Sequence, residues 1–588
     1  MTARGLAWRA ALAALATGAA ASVAHAANPA GAGAGAPEPA PMTTANRVSG
    51  VAPLAVFFDA VDTQQEGPAS PFVWRSGVQQ PRDPEAAEYV WDFGDPGAGA
   101  WRTTGLSRNA ATGYTTAHVY ETPGVYTATL TVTDAAGARR TYRQRITVSA
   151  FAGKTYYVAA SGNDRNPGTR PDAPFATFER GFAAVNGGPN RRLLLRRGER
   201  FTTGGVTLTA PGPGIIGAYG EGARPVLEVR SGADGGIIVR APDWRVMDLD
   251  MIGPGASVDR DTAIGYANVI QTVNALVLRV RSTQFRVGLG NGDWKPIYAT
   301  PHDGNAWVEC EATAEQSGGM YVGGRRLAIL GNDLHDMTST HALRVWQAHK
   351  AVIAHNRLWN PGGTRHALKL HGPGHGDGRP ETRWVTVTDN LIRGKVWALA
   401  VGPQDGEKDE RVSHVVLERN RTHGEASVQV DLLIWARDVM VRNNVFDGTG
   451  ASKYYTAVLV GRRGIEPDPE GVRVVNNTIV RTDAADAFSV VRLEPGARGV
   501  VLRNNLASAP LSRHPTLVQG ETIPGLLQDH NLLTASAAFV DPARGDYRLL
   551  PRSPAVDAGA ATVEVHADFA GAPRPRGAAP DVGAYESH

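Results

Sequence analysis

The chain has 588 residues, which is more than one ordinary domain needs and enough for a large buried core. Its formal net charge is only +3, which provides no general attraction to nucleic acid or to an anionic membrane. It contains a single cysteine, Cys310, so an intrachain disulfide and a metal site built from several cysteines are both excluded.

The N-terminus has the parts of a secretory signal peptide. Basic residues come first, a short apolar run follows over residues 10–23, and an Ala-His-Ala sequence ends at Ala26. The run is too short and too rich in alanine to be a good membrane span. We therefore expect residues 1–26 to be removed and residues 27–43 to form a flexible linker. The mature chain should be secreted, to the periplasm or the extracellular space.

Alternating β patterns predict a small sandwich over residues 44–150. Residues 56–58 form one candidate strand, residues 126–132 alternate over seven positions, and residues 141–148 close the set. This module should have its own core and be joined to the rest of the chain, near Ala150, by few contacts.

Three motifs of this module stand in the order found in PKD domains: GVAPL from Gly50, WDFGD from Trp91 and HVYETPGVY from His118. The module therefore resembles a PKD domain. The resemblance implies a spacer or a binding module, often attached to secreted enzymes that degrade polysaccharides or proteins. We interpret Asp92 and Asp95 as turn-forming side chains rather than catalytic carboxylates.

One pattern recurs after Gly153: an apolar residue, any residue, an apolar residue, two further residues and an asparagine. The asparagines recur at similar but unequal intervals, as expected for a solenoid with variable loops. The runs are rich in Val and Ile with period two, which favours stacked β-strands over helices or leucine-rich repeats. The asparagines should then form one structural column. They are Asn332, Asn356, Asn390, Asn420, Asn444, Asn477 and Asn505.

The two ends of this region resemble bacterial right-handed β-helix proteins of the pectin-lyase-like superfold. The entry segment carries YYVAASGND from Tyr156, and the closing segment carries SPAVDAG from Ser553 and PDVGAYE from Pro580. We expect an all-β chain, with a right-handed parallel β-helix over residues 153–545 and a closing segment over residues 546–588. The superfold hosts lyases, hydrolases, epimerases and non-catalytic proteins, so the resemblance implies the fold and not the activity.

Two segments are near-copies, about one coil apart: HALRVW from His341 and HALKLH from His366. Arg344 should lie directly beside Lys369, and period two should direct both side chains to solvent. His341 and His366 should lie at the core or at a strand end.

Several residues should surround this pair on the same face. His371 is a third catalytic candidate. Long insertions over residues 372–383 and 403–411 follow the strands, as is common beside solenoid binding sites. The candidate substrate-binding residues are Trp346, Tyr321, Arg365, His375, Gln429 and Asp431.

An extracellular polyuronate fits a face with two cations and aromatic side chains. A lysine beside an arginine has a lowered pKa, so Lys369 can act as the base that removes a proton next to the carboxylate-bearing carbon. Polysaccharide lyases similar to chondroitinase B and alginate lyase use a lysine, an arginine and calcium. In those lyases the calcium binds the substrate carboxylate, whereas this sequence has no clear Asn-Glu-Glu set for it and has the order Arg344 then Lys369, a departure from their pattern. The nearest candidate ligands are Glu309, Glu311 and Glu315.

Two other functions stay open. A glycoside hydrolase needs clustered carboxylates, and the sequence has no Asp-Asp pair, although Gly-His-Gly around His375 resembles polygalacturonases. A non-catalytic polysaccharide-binding surface protein would need the same electropositive face. The residues favour a monomeric lyase acting on an acidic polysaccharide, with no nucleic-acid partner.

Overall fold

The structure is a computed structural model that describes residues 40–41, 45–65, 72–230, 235–255, 266–291, 302–372, 382–403, 411–462, 468–562 and 564–587. The predicted signal peptide and most of the predicted linker lie outside these residues. Among the described residues, no helix is long and apolar enough to cross a membrane.

The N-terminal module is a small sandwich, as its alternating pattern predicts. Its outer sheet contains strands Ala40–Pro41, Ser49–Val51, Arg139–Ser149, Gly124–Thr133, Glu88–Asp92 and Ala110–Thr112. Its inner sheet pairs Leu54–Asp59 with Thr115–Tyr120, and a hairpin pairs Thr63–Gln65 with Phe72–Trp74. Asp92 accepts a hydrogen bond from the Gly94 amide at 2.8 Å, as expected for a turn. Asp95 instead pairs with the buried ring of His118 at 3.0 Å.

The main body is a right-handed parallel β-helix. Each coil contributes one strand to each of three sheets, and apolar side chains from all three fill the interior. The first sheet contains Lys154–Val158, Arg191–Arg196, Gly214–Tyr219, Trp244–Met247, Leu276–Leu278, Ala306–Val308, the ends of Gly318–Leu330 and Leu343–Ala354, then Thr382–Thr388, Val412–Glu418, Arg437–Arg442, Glu470–Val475, Val501–Arg503 and Leu527–Asp529.

The other two sheets complete each coil. The second contains Arg200–Thr203, Val226–Val229, Asp250–Ile252, Arg281–Thr283, Glu311–Thr313, Asp333–His335, Arg357–Trp359, Leu391–Arg393, Arg421–His423, Val445–Asp447, Thr478–Val480, Leu506–Ser508 and Leu532–Thr534. The third contains Val206–Leu208, Gly235–Val239, Tyr266–Ile270, Val287–Gly290, the starts of Gly318–Leu330 and Leu343–Ala354, then Leu368–His371, Trp397–Val401, Val430–Ile434, Tyr454–Val460, Ala487–Leu493 and Pro515–Gly520.

The predicted asparagine column is confirmed. In each coil the Asn Oδ1 accepts hydrogen bonds from the backbone N and the side-chain Nδ2 of the Asn one coil earlier, as Asn390 does for Asn356 at 2.9 and 3.0 Å. Asn531 extends the column by one coil, and the amide of Cys310 donates to Asn332 at its other end. The residue before each position, from Glu309 to His530, has a φ between 48° and 64°, so the turn is the same in every coil.

The two ends of the β-helix are completed differently. Helix α1 (Phe178–Val185) begins at the N-cap Thr177 and buries Phe178, Phe182 and Val185 against the first coil. At the other end, a 3₁₀ turn (Pro542–Arg544) joins the strands Phe539–Asp541 and Asp546–Leu549. The chain then runs back along the second sheet, where Tyr547, Val582 and Tyr585 pack on Val445, Val480 and Leu506.

The sandwich docks along the outer face of the first sheet, so the expectation of few contacts is wrong. Ala55, Phe57, Trp101, Ala117 and Val119 pack against apolar residues that point outward from successive coils. Those residues are Leu276, Leu278, Ala306, Val308, Ala328, Leu330, Val352 and Ala354. An outward apolar face of this kind must be covered, and the sandwich covers it.

A buried ion pair lies in the same interface. The Lys350 ammonium is 2.9 and 3.0 Å from the Asp59 carboxylate oxygens, and the Thr115 hydroxyl donates to the Ala351 carbonyl at 2.7 Å. The closing segment also contacts the sandwich, because the His566 amide donates to Glu88 at 2.6 Å. The apolar outer face of the first sheet and the closing segment together hold the sandwich against the coils.

Candidate functional site

The HALR and HALK segments form neighbouring strands of the third sheet. Arg344 pairs with Lys369 and Trp346 with His371, in parallel register. The leucines that flank Lys369 are fully buried in the interior, which places Lys369 on the outer face with Arg344. The predicted juxtaposition of the two cations is confirmed.

Lys369 is nevertheless not solvent-exposed, contrary to the prediction. Only 6% of it is exposed. Its Nζ donates to the Pro403 carbonyl at 3.2 Å and lies 4.7 Å from the centroid of the Trp435 ring. The ring can lie there because its neighbour is Gly402, where a Cβ would come within 2.5 Å of it and where φ is +147°. An aromatic side chain from two coils further on therefore covers the lysine.

His371 holds Arg344 in place. The Arg344 Nε donates to His371 Nε2 at 2.9 Å, and His371 Nδ1 is 3.0 Å from the Gly372 carbonyl oxygen. Since a carbonyl only accepts, Nδ1 carries the hydrogen and Nε2 offers its lone pair, which requires a neutral ring. Burial, and then the charges of Arg344 and Lys369, hold the His371 pKa well below its usual range. Both ring nitrogens are thus engaged, and His371 is a positioning residue rather than a base.

A stack of rings borders the two cations. The centroids of His341 and His366 are 5.2 Å apart, and those of His366 and Trp397 are 5.1 Å apart. Both histidines precede their strands on the outer side, which agrees with the predicted strand-end position. Burial, reinforced by the charges of Arg344 and Lys369, lowers the pKa of His341 to about 3. Burial, reinforced by His341 and Lys369, holds the pKa of His366 well below its usual range. The stack is therefore uncharged at neutral pH.

The remaining predicted substrate-binding residues do not form one exposed surface around the two cations. Tyr321 and Trp346 share the outer face but are only 6% and 7% exposed, so they are not open platforms. The Arg344 guanidinium lies 5.9 Å from the Tyr321 ring centroid. Arg365 and Gln429 are exposed. His375 and most of the two predicted insertions lie outside the described residues.

Asp431 is not on the outer face, contrary to the prediction. It is fully buried, and its Oδ2 accepts hydrogen bonds from the hydroxyls of Thr422 and Tyr455. The alternation of the strand is broken here, because Val430 packs in the outer cluster with Trp435 whereas Leu432 packs in the interior. Asp431 consequently points into the β-helix.

The three candidate calcium ligands, Glu309, Glu311 and Glu315, do not converge on one point. Glu309 faces Arg108 of the sandwich at 3.6 Å. Glu311 pairs with His335 in the second sheet at 3.5 Å. Glu315 is buried and accepts a hydrogen bond from the Phe285 amide at 2.6 Å. Within the described part of the chain, no group of three His, Cys, Asp or Glu side chains is placed to hold a metal ion.

Sequence reasoning missed three residues around the cations: Trp397, Trp435 and Arg462. The Arg462 guanidinium lies 5.5 Å from the Trp397 ring centroid and 5.9 Å from that of Trp435. Trp397 follows His366 by about the length of one coil, and Trp435 follows Gly402 by a similar length. This spacing is the sequence signal that could have placed the two tryptophans beside the cations.

Residues 51–149 match the family described as PKD domain. The sandwich is therefore a PKD domain, as its three motifs predict. No curated protein matches the chain.

Solved structures resemble the chain at low identity. A pectate lyase is 16% identical, with 74% of this chain and 96% of that chain covered and a TM-score of 0.36. A Yersinia enterocolitica family 28 exopolygalacturonase is 10% identical, with 84% and 98% covered and a TM-score of 0.41. An Azotobacter vinelandii mannuronan C-5 epimerase module is 15% identical, with 60% and 93% covered and a TM-score of 0.37. Similarities at this level do not distinguish one reaction from another.

Proposed function

We propose that this chain is a secreted lyase that cleaves a uronic-acid polysaccharide by β-elimination. The observation that carries the proposal is the pairing of Arg344 with Lys369 on the outer face of neighbouring coils. The Arg344–His371 hydrogen bond and the Trp435 ring fix the two cations in a setting with little water. Cationic side chains held side by side with little hydration are characteristic of functional sites, where like charges and burial shift the titration of catalytic groups.

The proposed roles follow from the chemistry of a uronate. Arg344 binds the carboxylate and neutralises the charge that develops when the adjacent carbon loses its proton. Lys369, as the free amine, accepts that proton. The electron pair of the broken C–H bond forms a carbon–carbon double bond, the glycosidic C–O bond breaks, and the departing oxygen takes up a proton. The products are an unsaturated uronate and a new chain end.

A hydrolase on this face is less well supported. Inverting and retaining glycosidases both need two carboxyl groups beside the scissile bond. Asp431, the carboxyl group that the sequence placed on this face, points into the interior instead. The lyase assignment needs only the groups that are present.

The first test is a screen of the mature chain with polygalacturonate, alginate and glycosaminoglycans, with and without calcium. A lyase raises ultraviolet absorbance through its unsaturated product. New reducing ends without that absorbance would indicate a hydrolase, and binding without either would indicate a binding protein. Both outcomes would refute the proposal.

Lys369→Arg tests the base directly. Arginine keeps the charge but cannot lose its proton at neutral pH, so turnover should fall by about a hundredfold or more while binding changes only a few-fold. Lys453→Arg, at an exposed turn, is the matched control and should keep full turnover. If Lys369→Arg turns over normally, Lys369 is not the base.

A further inference from the structure

The outer sheet of the PKD domain has one face that points away from the core of the sandwich. Its inner partner sheet faces the β-helix, with Thr115 bonded to Ala351. On strand Arg139–Ser149, Tyr142, Ile146 and Val148 are buried in the sandwich. The residues between them, Arg143, Arg145 and Thr147, are exposed on the opposite side. Because these side chains are exposed, a partner can reach this second face.

Arginines concentrate on this face. The alternation of the strand places Arg139, Arg143 and Arg145 on this face, and Arg140, near the start of the strand, is exposed as well, in a chain whose net charge is +3. None of them forms an ion pair with another described residue. Elsewhere many arginines of the structure are paired with carboxylates, as Arg503 is with Asp529 at 2.7 Å. The described residues therefore leave the positive charge of this strand uncompensated.

Hydroxyl groups stand beside the guanidinium groups. Arg143 pairs with Thr129 and Arg145 with Thr127 on the neighbouring strand. Alternate residues of a strand are about 6.8 Å apart, so the face presents a flat array of donors with a regular repeat. A guanidinium binds a carboxylate in bidentate fashion, and threonine hydroxyls exchange hydrogen bonds with sugar hydroxyls.

We infer that this face is a second binding surface for an extended, carboxylate-bearing polysaccharide, separate from Lys369. Nucleic acid fits it less well, because the array that pairs Arg143 and Arg145 with Thr129 and Thr127 contains no ring on which a base would stack. A membrane fits it less well, because interfacial binding needs a large apolar face in addition to cations. A polymer held here would be retained by the chain between cleavage events.

The test uses the full mature chain in the Lys369→Arg background, so that the polymer stays intact. The double variant Arg143→Gln/Arg145→Gln should bind polygalacturonate at least ten-fold more weakly at low salt. The slope of log affinity against log salt should decrease by about one for each arginine removed. The matched control Arg165→Gln/Arg552→Gln removes two exposed arginines elsewhere and should leave affinity and slope unchanged.

Two results would overturn the inference. One is a double variant that binds polygalacturonate as tightly as its parent, with the same salt slope. The other is a double variant whose affinity for duplex DNA, or for phosphatidylserine–phosphatidylcholine vesicles, falls more than its affinity for the polymer does. A chain that binds through these arginines but cleaves no uronate, with Lys369 intact, would support the surface and refute the proposed lyase.

Discussion

At the residue scale, Asp431 is a carboxyl group inside the β-helix. Burial raises its pKa to about 7, and the hydrogen bonds from the Thr422 and Tyr455 hydroxyls offset only part of that rise. Its Oδ1 has no hydrogen-bond partner among the described residues. The folded chain therefore keeps this proton near neutral pH, whereas the unfolded chain loses it near pH 4.

Asp431→Asn should remove a pH dependence of stability. Between about pH 5 and 7 only the unfolded chain releases the Asp431 proton, so the free energy of unfolding should fall with rising pH, by about 1.4 kcal/mol per unit. Asparagine matches the protonated acid in shape and does not titrate. In denaturation experiments at pH 5, 6 and 7, the free energy of unfolding of the variant should increase relative to that of the parent as pH rises. Parallel curves would mean that Asp431 is ionised in the folded chain.

At the element scale, the asparagine column joins each coil to the next. Asn420 accepts from the Asn390 backbone and side chain, and its own Nδ2 donates to the Val387 carbonyl at 2.8 Å. These groups are buried and have no water to replace a lost partner. The column thus closes the same turn in successive coils, however long the loops between them are.

Asn420→Ala should lower the free energy of unfolding by about 2–4 kcal/mol, because it leaves buried donors and an acceptor unpaired. Asn531→Ala is the matched control at the end of the column. Asn531 makes equivalent bonds, to Asn505 and Leu502, but is half-buried, so water can replace them and the loss should be smaller. Equal losses in chemical denaturation would contradict this account of the column.

At the scale of the whole molecule, the PKD domain covers a face of the β-helix and does not act as a detached spacer. The Lys350–Asp59 pair joins the two, with both side chains almost fully buried. Burial lowers the Lys350 pKa to about 8 and raises the Asp59 pKa to about 6, although each partner's charge opposes the shift of the other. Removing one charge of this pair leaves the other charge buried without its partner.

Lys350→Met should therefore lower the free energy of unfolding by about 3–5 kcal/mol. The double variant Lys350→Met/Asp59→Leu removes both charges and should recover part of that loss, because apolar residues of similar size can replace a buried pair. Chemical denaturation followed by tryptophan fluorescence compares the three chains. A double variant less stable than Lys350→Met would show that the loss of stability comes from losing the ion pair itself and not from the unpaired Asp59 charge.

The local features of this protein were determined by its sequence. Period two in runs of Val and Ile predicted stacked strands, and the recurring Asn predicted the column, because both depend on residues within one coil. The one-coil spacing of HALR and HALK likewise placed Arg344 beside Lys369, since neighbouring coils are neighbours in sequence. The three motifs of the PKD domain predicted its sandwich in the same way.

Only the tertiary structure decided which faces are covered. Trp435, which follows Lys369 by two coils, buries that lysine, and a break in the alternation turns Asp431 inward. Lys350 meets Asp59 across 291 residues of sequence. Periodicity fixes the side of a strand from which a side chain projects, but not what lies against that side. Covering depends on the fit between surfaces that are distant in sequence, and no repeat within one coil carries that information.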